Sequence, residues 1–160
     1  MILAQDTIMC IFAARNIFTM TFHFQICTQK KEMLPHWALI SQLNPAVTED
    51  YLGEVLDDMI AHGYVMILIW DGDFCAGLSG VWVSTKIYSG KYLEMDNVVI
   101  DQGYRSKGLG KLLTDYVTQY AIEAGCRTMM LDAYLENDKA HAFYERAGFV
   151  RRGYHFIKKL

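Results

Sequence analysis

Between Thr21 and Thr28 the apolar side chains Phe22, Phe24 and Ile26 alternate with polar ones, a period of two that predicts a half-buried strand. Pro35 suits a first helical turn, and Trp37, Ile40 and Ser41 continue a short helix that Asn44-Pro45 breaks. A longer helix follows, with Thr48 as its cap, Glu49 and Asp50 at its positive end, and one stripe formed by Tyr51, Leu52, Val55, Leu56, Met59 and Ile60. Gly63 stops it. Tyr64 to Trp70 (YVMILIW) is too short and too apolar for a surface helix, and Asp71-Gly72 after it is a two-residue hairpin signal. Phe74 to Thr85 is therefore predicted to return antiparallel, and Tyr92 to Ile100 adds a strand beyond the Ser89-Gly90 turn.

The clearest helix runs from about Gly108 to Ala124, where Leu109, Leu112, Leu113, Tyr116, Val117, Tyr120, Ala121 and Ala124 keep the three-four spacing until Gly125. Arg127 to Ala133 reads as a strand. Asn137 then caps a helix carrying Ala140, Phe143, Tyr144 and Ala147, Gly148 ends it, and a hairpin-like tail is expected. Strands outnumber helices, the early part is a meander, and the later part alternates strand with helix. The fold class that follows is α/β, a mixed and mostly antiparallel central sheet with helices on both faces.

A chain of 160 residues is about one domain. With 52% apolar and 21% charged residues it is neither disordered nor fibrous. Its 15 basic and 18 acidic side chains leave a formal charge of -3, which argues against nucleic acid as a partner. Cys10, Cys27, Cys75 and Cys126 are widely spaced with no CxxC and no paired histidines, so no metal site or disulfide framework is expected, and reduced thiols fit a cytoplasmic protein. The longest apolar runs, about seven residues, fall well short of the roughly 20 that cross a bilayer. Residues 1–19 are apolar but lack a basic leading region and a clear cleavage site, so they do not read as a signal peptide. They are expected to be an N-terminal extension, or the product of a start set upstream of Met20, ahead of a single domain at 20–160.

The segment Arg105 to Lys111 (RSKGLGK) lies between a strand and the clearest helix. Free backbone N–H groups and the positive end of the helix dipole converge there, and Gly108 and Gly110 let a ligand approach the backbone closely. Arg105, Lys107 and Lys111 add positive charge around the same point in an acidic chain. A phosphate-bearing ligand is implied. A Walker loop would need Ser or Thr after the lysine, and Leu112 stands there. A dinucleotide fingerprint remains open, since Asp132 follows at suitable spacing, although that unit would be expected at the start of the chain rather than after four strands.

These residues resemble the Gcn5-related N-acetyltransferases, whose main helix opens with Arg/Gln-x-x-Gly-x-Gly/Ala. RSKGLG matches each fixed position, VVIDQGYRSKGLGKLL resembles the family's acetyl-CoA-binding segment, and ENDKAHAFYERAGF resembles its following helix motif. The chain departs from the pattern at Gln102, where proline is common, and at Ser106, where glycine often stands. The resemblance implies acetyl-CoA as co-substrate and a primary amine of a small molecule or protein as acceptor, without metal or membrane; a homodimer is compatible with it. It implies a gap between the strands at Tyr92 to Ile100 and Arg127 to Ala133, with pantetheine on the main chain of Val98, Val99 and Ile100. The pyrophosphate would meet the amides of Arg105, Ser106, Lys107, Gly108, Leu109 and Gly110, and Asn137 would add a contact to its capping role.

Acetyl transfer needs the free amine, and deprotonating an ordinary ammonium of pKa about 10.4 at neutral pH costs about 4.6 kcal/mol. A carboxylate acting directly or through water meets that need. Strand parity puts Glu94, Asp96 and Val98 on one side and Met95, Asn97 and Val99 on the other, and Asp96 falls where relatives often carry a catalytic glutamate. Tyr144 matches the family's helix-borne tyrosine, whose phenol can protonate the departing thiolate; its spacing also suits the core stripe. His141 reads as a solvated or hydrogen-bonded histidine, Cys126 has no activating neighbour, and Trp37, Trp70 and Trp82 read as core. The expected activity is direct transfer in a ternary complex; a module that binds acyl-CoA or a nucleotide without catalysis stays open.

Overall fold

The computed structural model describes residues 8–10 and 21–160. Its sheet has six strands in chain order: β1 (Ile8–Cys10), β2 (Thr21–Cys27), β3 (Val65–Asp71), β4 (Phe74–Lys86), β5 (Gly90–Ile100) and β6 (Thr128–Leu131). Every pairing is antiparallel except the last, β5 with β6, which is parallel. Of the expected N-terminal extension only β1 is described, paired with β2; residues 1–7 and 11–19 lie outside the described residues. β3 sits at the centre, and Met66, Ile67, Leu68 and Ile69 are all fully buried because helices cover both faces. That double burial is why the segment is continuously apolar rather than alternating. The tight loop after it is Gly72-Asp73, one residue later than the sequence suggests, with Asp71 paired to Phe74 and Gly72 at φ 56°.

One face packs on α4 (Leu109–Glu123), whose Leu109, Leu113, Val117 and Ala121 meet Phe24, Ile67, Ile69, Val81, Leu93 and Met95. The other packs on α1 (Lys30–Met33), α2 (Trp37–Ser41) and α3 (Glu49–Ala61), where Met33, Leu52 and Leu56 meet Met66, Leu68, Leu78 and Val99. The short helix expected from Pro35 is a tight turn at 34–36 that runs into α2, and α1, which lies before Pro35, is an additional one. Thr48 caps α3 by accepting from the Tyr51 N–H at 3.2 Å. The last helix, α5 (Asp138–Arg146), is capped by Asn137, whose Oδ1 accepts from the Ala140 N–H at 3.1 Å.

Two expectations fail. Residues 150–160 form no strand, and all of them are exposed. Phe156 and Ile157 are adjacent rather than alternating, so a strand would turn one of them to water, and the segment is held instead at the surface by an ion pair of Arg151 with Glu145 at 2.8 Å and a hydrogen bond between His155 and Asp132 at 2.6 Å. The parity of β5 also breaks. Gly80 pairs with Asp96 but Leu78 pairs with Val99, so β5 carries one extra residue, a β-bulge, with Asn97 at φ 49°. Beyond it Val98 packs on the α4 side with Leu93 and Met95, while Val99 turns to the α3 side.

Leu113→Ala, which removes a fully buried side chain, should cost about 2–5 kcal/mol in urea unfolding, whereas Ile157→Ala in the exposed tail should stay within about 0.5 kcal/mol. Equal losses at the two positions would contradict this layering.

Candidate active site

The bulge decides what the C-terminal half of β5 can do. β6 pairs with β5 only from Tyr92–Thr128 to Met95–Leu131, and β5 runs on to Ile100 without it. The main chain of Val98, Val99 and Ile100 therefore has β4 on one side, through Leu78–Val99 and Gly77–Ile100, and no strand on the other among the described residues. A segment of backbone donors and acceptors is left facing a gap at the point where β5 and β6 part.

The chain leaves β5 into a short loop that two buttresses hold. On one side the Gln42 side-chain amide donates to Asp101 Oδ2 at 2.8 Å, and its carbonyl accepts from the Gln102 N–H at 3.1 Å. Gln42, the Gly103 N–H and the Arg105 charge keep the Asp101 carboxyl below its ordinary pKa despite some desolvation. On the other side the Tyr104 hydroxyl donates to Asp71 Oδ2 at 2.8 Å, and the Tyr104 ring stacks on Phe74. Both buttresses hold the approach to α4, so the helix start is fixed relative to the β5 edge.

Ser106 at φ 61° and Gly108 at φ 87° take left-handed backbone, which turns the chain sharply into α4. At Ser106 a serine adopts the conformation that a glycine would take freely. The first N–H groups of α4 have no intrahelical acceptor and open to solvent beside Arg105, whose Nε donates to the Ile100 carbonyl at 3.2 Å and whose residue is exposed. Lys107 lies over the Tyr104 ring at 5.1 Å. Lys111 is not part of this group: its Nζ pairs with Asp115 at 2.6 Å, one turn along α4. Leu109 is 1% exposed, so only its backbone is available there. A Cβ on Gly110 would stand 3.3 Å from Phe143 Cζ, so α5 crosses close to the start of α4 and brings Tyr144 into this neighbourhood.

Asp96 lies on the α3 side of β5, half-buried, with the Trp82 Nε1–H donating to its Oδ2 at 3.4 Å. Glu94 is engaged elsewhere, its Oε2 lying 3.9 Å from Lys86 Nζ. Tyr144 packs edge-on against Phe143 and Phe149, and burial pushes its phenol up to about 12, so it is fully protonated at neutral pH. No hydrogen bond joins Tyr144 to Asp96 among the described residues. His141 departs from expectation, since its Nδ1 is buried without a partner. Burial holds Cys75 up to about 11 and Cys27 up to about 12, and raises Cys126, so these are thiols rather than thiolates. No group of three or more metal-ligating side chains, and no helix long and apolar enough to cross a membrane, occurs among the described residues. An open hollow of about 520 Å³ between α1 and α3 contains the Lys30–Asp57 ion pair and none of the residues above.

A backbone edge beside a helix start, where free N–H groups can receive an anion, suits a long ligand that ends in phosphates. Known proteins share the fold. Residues 30–149 match the family model described as Acetyltransferase (GNAT) family. An uncharacterized N-acetyltransferase of Bacillus subtilis, YhdJ, is 28% identical over 138 residues, 85% of this chain and 97% of that protein. The structure of glucosamine-6-phosphate N-acetyltransferase from Arabidopsis thaliana superposes with a TM-score of 0.64 at 24% identity, covering 85% of this chain and 97% of its own. Aminoglycoside N-acetyltransferase AAC(6')-Iy in complex with CoA gives 0.73 at 17% identity, covering 93% and 99%. With three quarters of its length inside the family's boundaries and this fold around the loop, the chain belongs to the GNAT acetyltransferase family and is an acetyl-CoA-dependent N-acetyltransferase.

Proposed function

We propose that acetyl-CoA lies along the open β5 edge, with pantetheine on the main chain of Val98, Val99 and Ile100 and the pyrophosphate on the amides from Arg105 to Gly110. The observation that carries this reading is the bulge at Asn97, which frees that edge next to the start of α4. Arg105 and Lys107 supply mobile charge; Lys111 contributes only if its surface pair with Asp115, worth about 0–1 kcal/mol, is given up. Asn137 spends its Oδ1 on the helix cap and offers its amide nitrogen to the ligand.

The amine approaches on the α3 side of β5, where Asp96 takes its proton directly or through one water. The free amine attacks the thioester carbonyl, its nitrogen releases a proton to water, and the C–S bond breaks as the tetrahedral intermediate collapses while Tyr144 donates toward the sulfur and is reprotonated from solvent. Burial that keeps this phenol protonated also makes it a weaker acid, so it acts first as a hydrogen-bond donor and releases its proton only as thiolate charge develops. Glu94, paired to Lys86, adds negative potential and is the second choice of base. Two carboxylates on this face favour a cationic small-molecule amine over an anionic acceptor, with a protein amine as the second reading. We place the reaction in the cytoplasm and in a single domain spanning 20–160.

Gly108→Val should leave a folded protein with acetyl-CoA affinity lowered at least about tenfold in calorimetry, and Arg105→Ala should weaken it more than Lys111→Ala does. Unchanged affinity in a folded Gly108 variant would remove the phosphate assignment.

In single-turnover experiments with an amine that the wild type accepts, Asp96→Asn and Tyr144→Phe should each slow transfer by about 10²-fold or more while acetyl-CoA still binds. Because Tyr144 is lost as a donor only when the pH climbs past its ordinary 10.0 toward about 12, this group should cause no alkaline fall in rate below that range. Wild-type rates in either folded variant would dismiss the corresponding role.

A further inference from the structure

Asn97 holds a left-handed backbone without being a glycine, and such residues persist where their surroundings over-determine them. The surroundings here are specific. Tyr64, just before β3, is 2% exposed, and its ring lies against Gly80, the residue that faces Asp96 across the β4–β5 ladder. A Cβ at Gly80 would fall 2.6 Å from Tyr64 Cζ and would overlap the hydroxyl. The missing side chain is therefore the space through which the phenol reaches β5. The hydroxyl there interacts with the Asn97 side chain and with the Asp96 carboxylate, and burial keeps it protonated. Trp82, tilted against Tyr64 at a ring separation of 5.0 Å, directs its N–H to Asp96. One buried phenol thus stands at Gly80, across the ladder from the residue proposed as base and next to the bulge.

We propose that Tyr64 is a positioning residue for acetyl transfer: its hydroxyl, lodged in the gap at Gly80, holds Asn97 in its left-handed turn and so fixes both the Asp96 carboxylate and the open β5 edge. The proposal rests on the acetyl-CoA site described above. It assigns Tyr64 no contact with either substrate. A tyrosine that only filled the core would contribute to stability and leave the kinetic constants of folded enzyme alone.

The test is Tyr64→Phe, which keeps the ring and deletes the hydroxyl, measured for melting temperature, CoA affinity by calorimetry, and kcat and KM. The expected result is a cooperatively folded enzyme with CoA affinity lowered at least fivefold and kcat lowered about tenfold. Adding Asn97→Gly should recover much of both, because glycine enters the left-handed region unaided. Should Tyr64→Phe not fold, Asn97→Ala removes the hydroxyl's partner and is expected to show the same two losses. Affinity and kcat within twofold of wild type in whichever variant folds would overturn the proposal, as would a loss that Asn97→Gly fails to relieve. Gly108→Val measured alongside separates the two readings: if it abolishes CoA binding while Tyr64→Phe changes nothing, only the role of Tyr64 falls, whereas if it leaves binding intact the site reading falls with it.

Discussion

One extra residue in β5 governs the rest of this structure. Without it, β5 would pair along β4 in unbroken alternation. With it, the strand twists at Asn97, the main chain from Val98 to Ile100 is displaced from the β6 pairing that ends at Met95, and Asp96 stays on the α3 face while Val98 passes to the other. The backbone edge that can hold a thioester and the carboxylate that can take a proton are thus set by the same local distortion. The cost of a left-handed asparagine, on the order of 1–2 kcal/mol, is small beside the burial of the surrounding sheet.

The second constraint is the route from β5 to α4. Gln42 reaches in from α2 and Asp71 from the β3–β4 hairpin, so the few residues between the edge and the helix start are gripped from both sides of the sheet. Such grips matter because effective concentration in a two-substrate reaction depends on holding both reacting groups in register. α5 completes the arrangement by laying Phe143 against Gly110, with Tyr144 next to it. The absence of a side chain at Gly110 thus serves the packing of α5.

Much of this was legible in the chain. Tyr64 to Trp70 announced a strand because burial on both faces leaves no polar position in it, and the α4 stripe announced its face because every third or fourth residue meets the sheet. The turn into α4 was legible because Gly108 takes a left-handed backbone there, at the end of the loop that begins at Arg105. The bulge was not, since parity is counted residue by residue and nothing in DNVV marks where the count slips. Lys111 looked like a member of the loop until its pairing with Asp115 appeared, a contact one turn away that competes with any ligand. The relation between Tyr64, Gly80 and Asn97 joins three segments that meet only across the sheet, so no local pattern could disclose it. The tail failed for the opposite reason: its residues suit a strand one by one, but adjacent Phe156 and Ile157 do not share a face.

The most direct test of the account is an amide-resolved NMR titration of the isotopically labelled wild-type protein with CoA. The largest chemical-shift changes should fall on the backbone amides of Val98 to Ile100 and Arg105 to Gly110, with those around Lys30, Gly53 and Asp57 in the α1–α3 hollow unmoved. Saturable shifts centred on that hollow, with the β5 edge and the start of α4 unchanged, would contradict it.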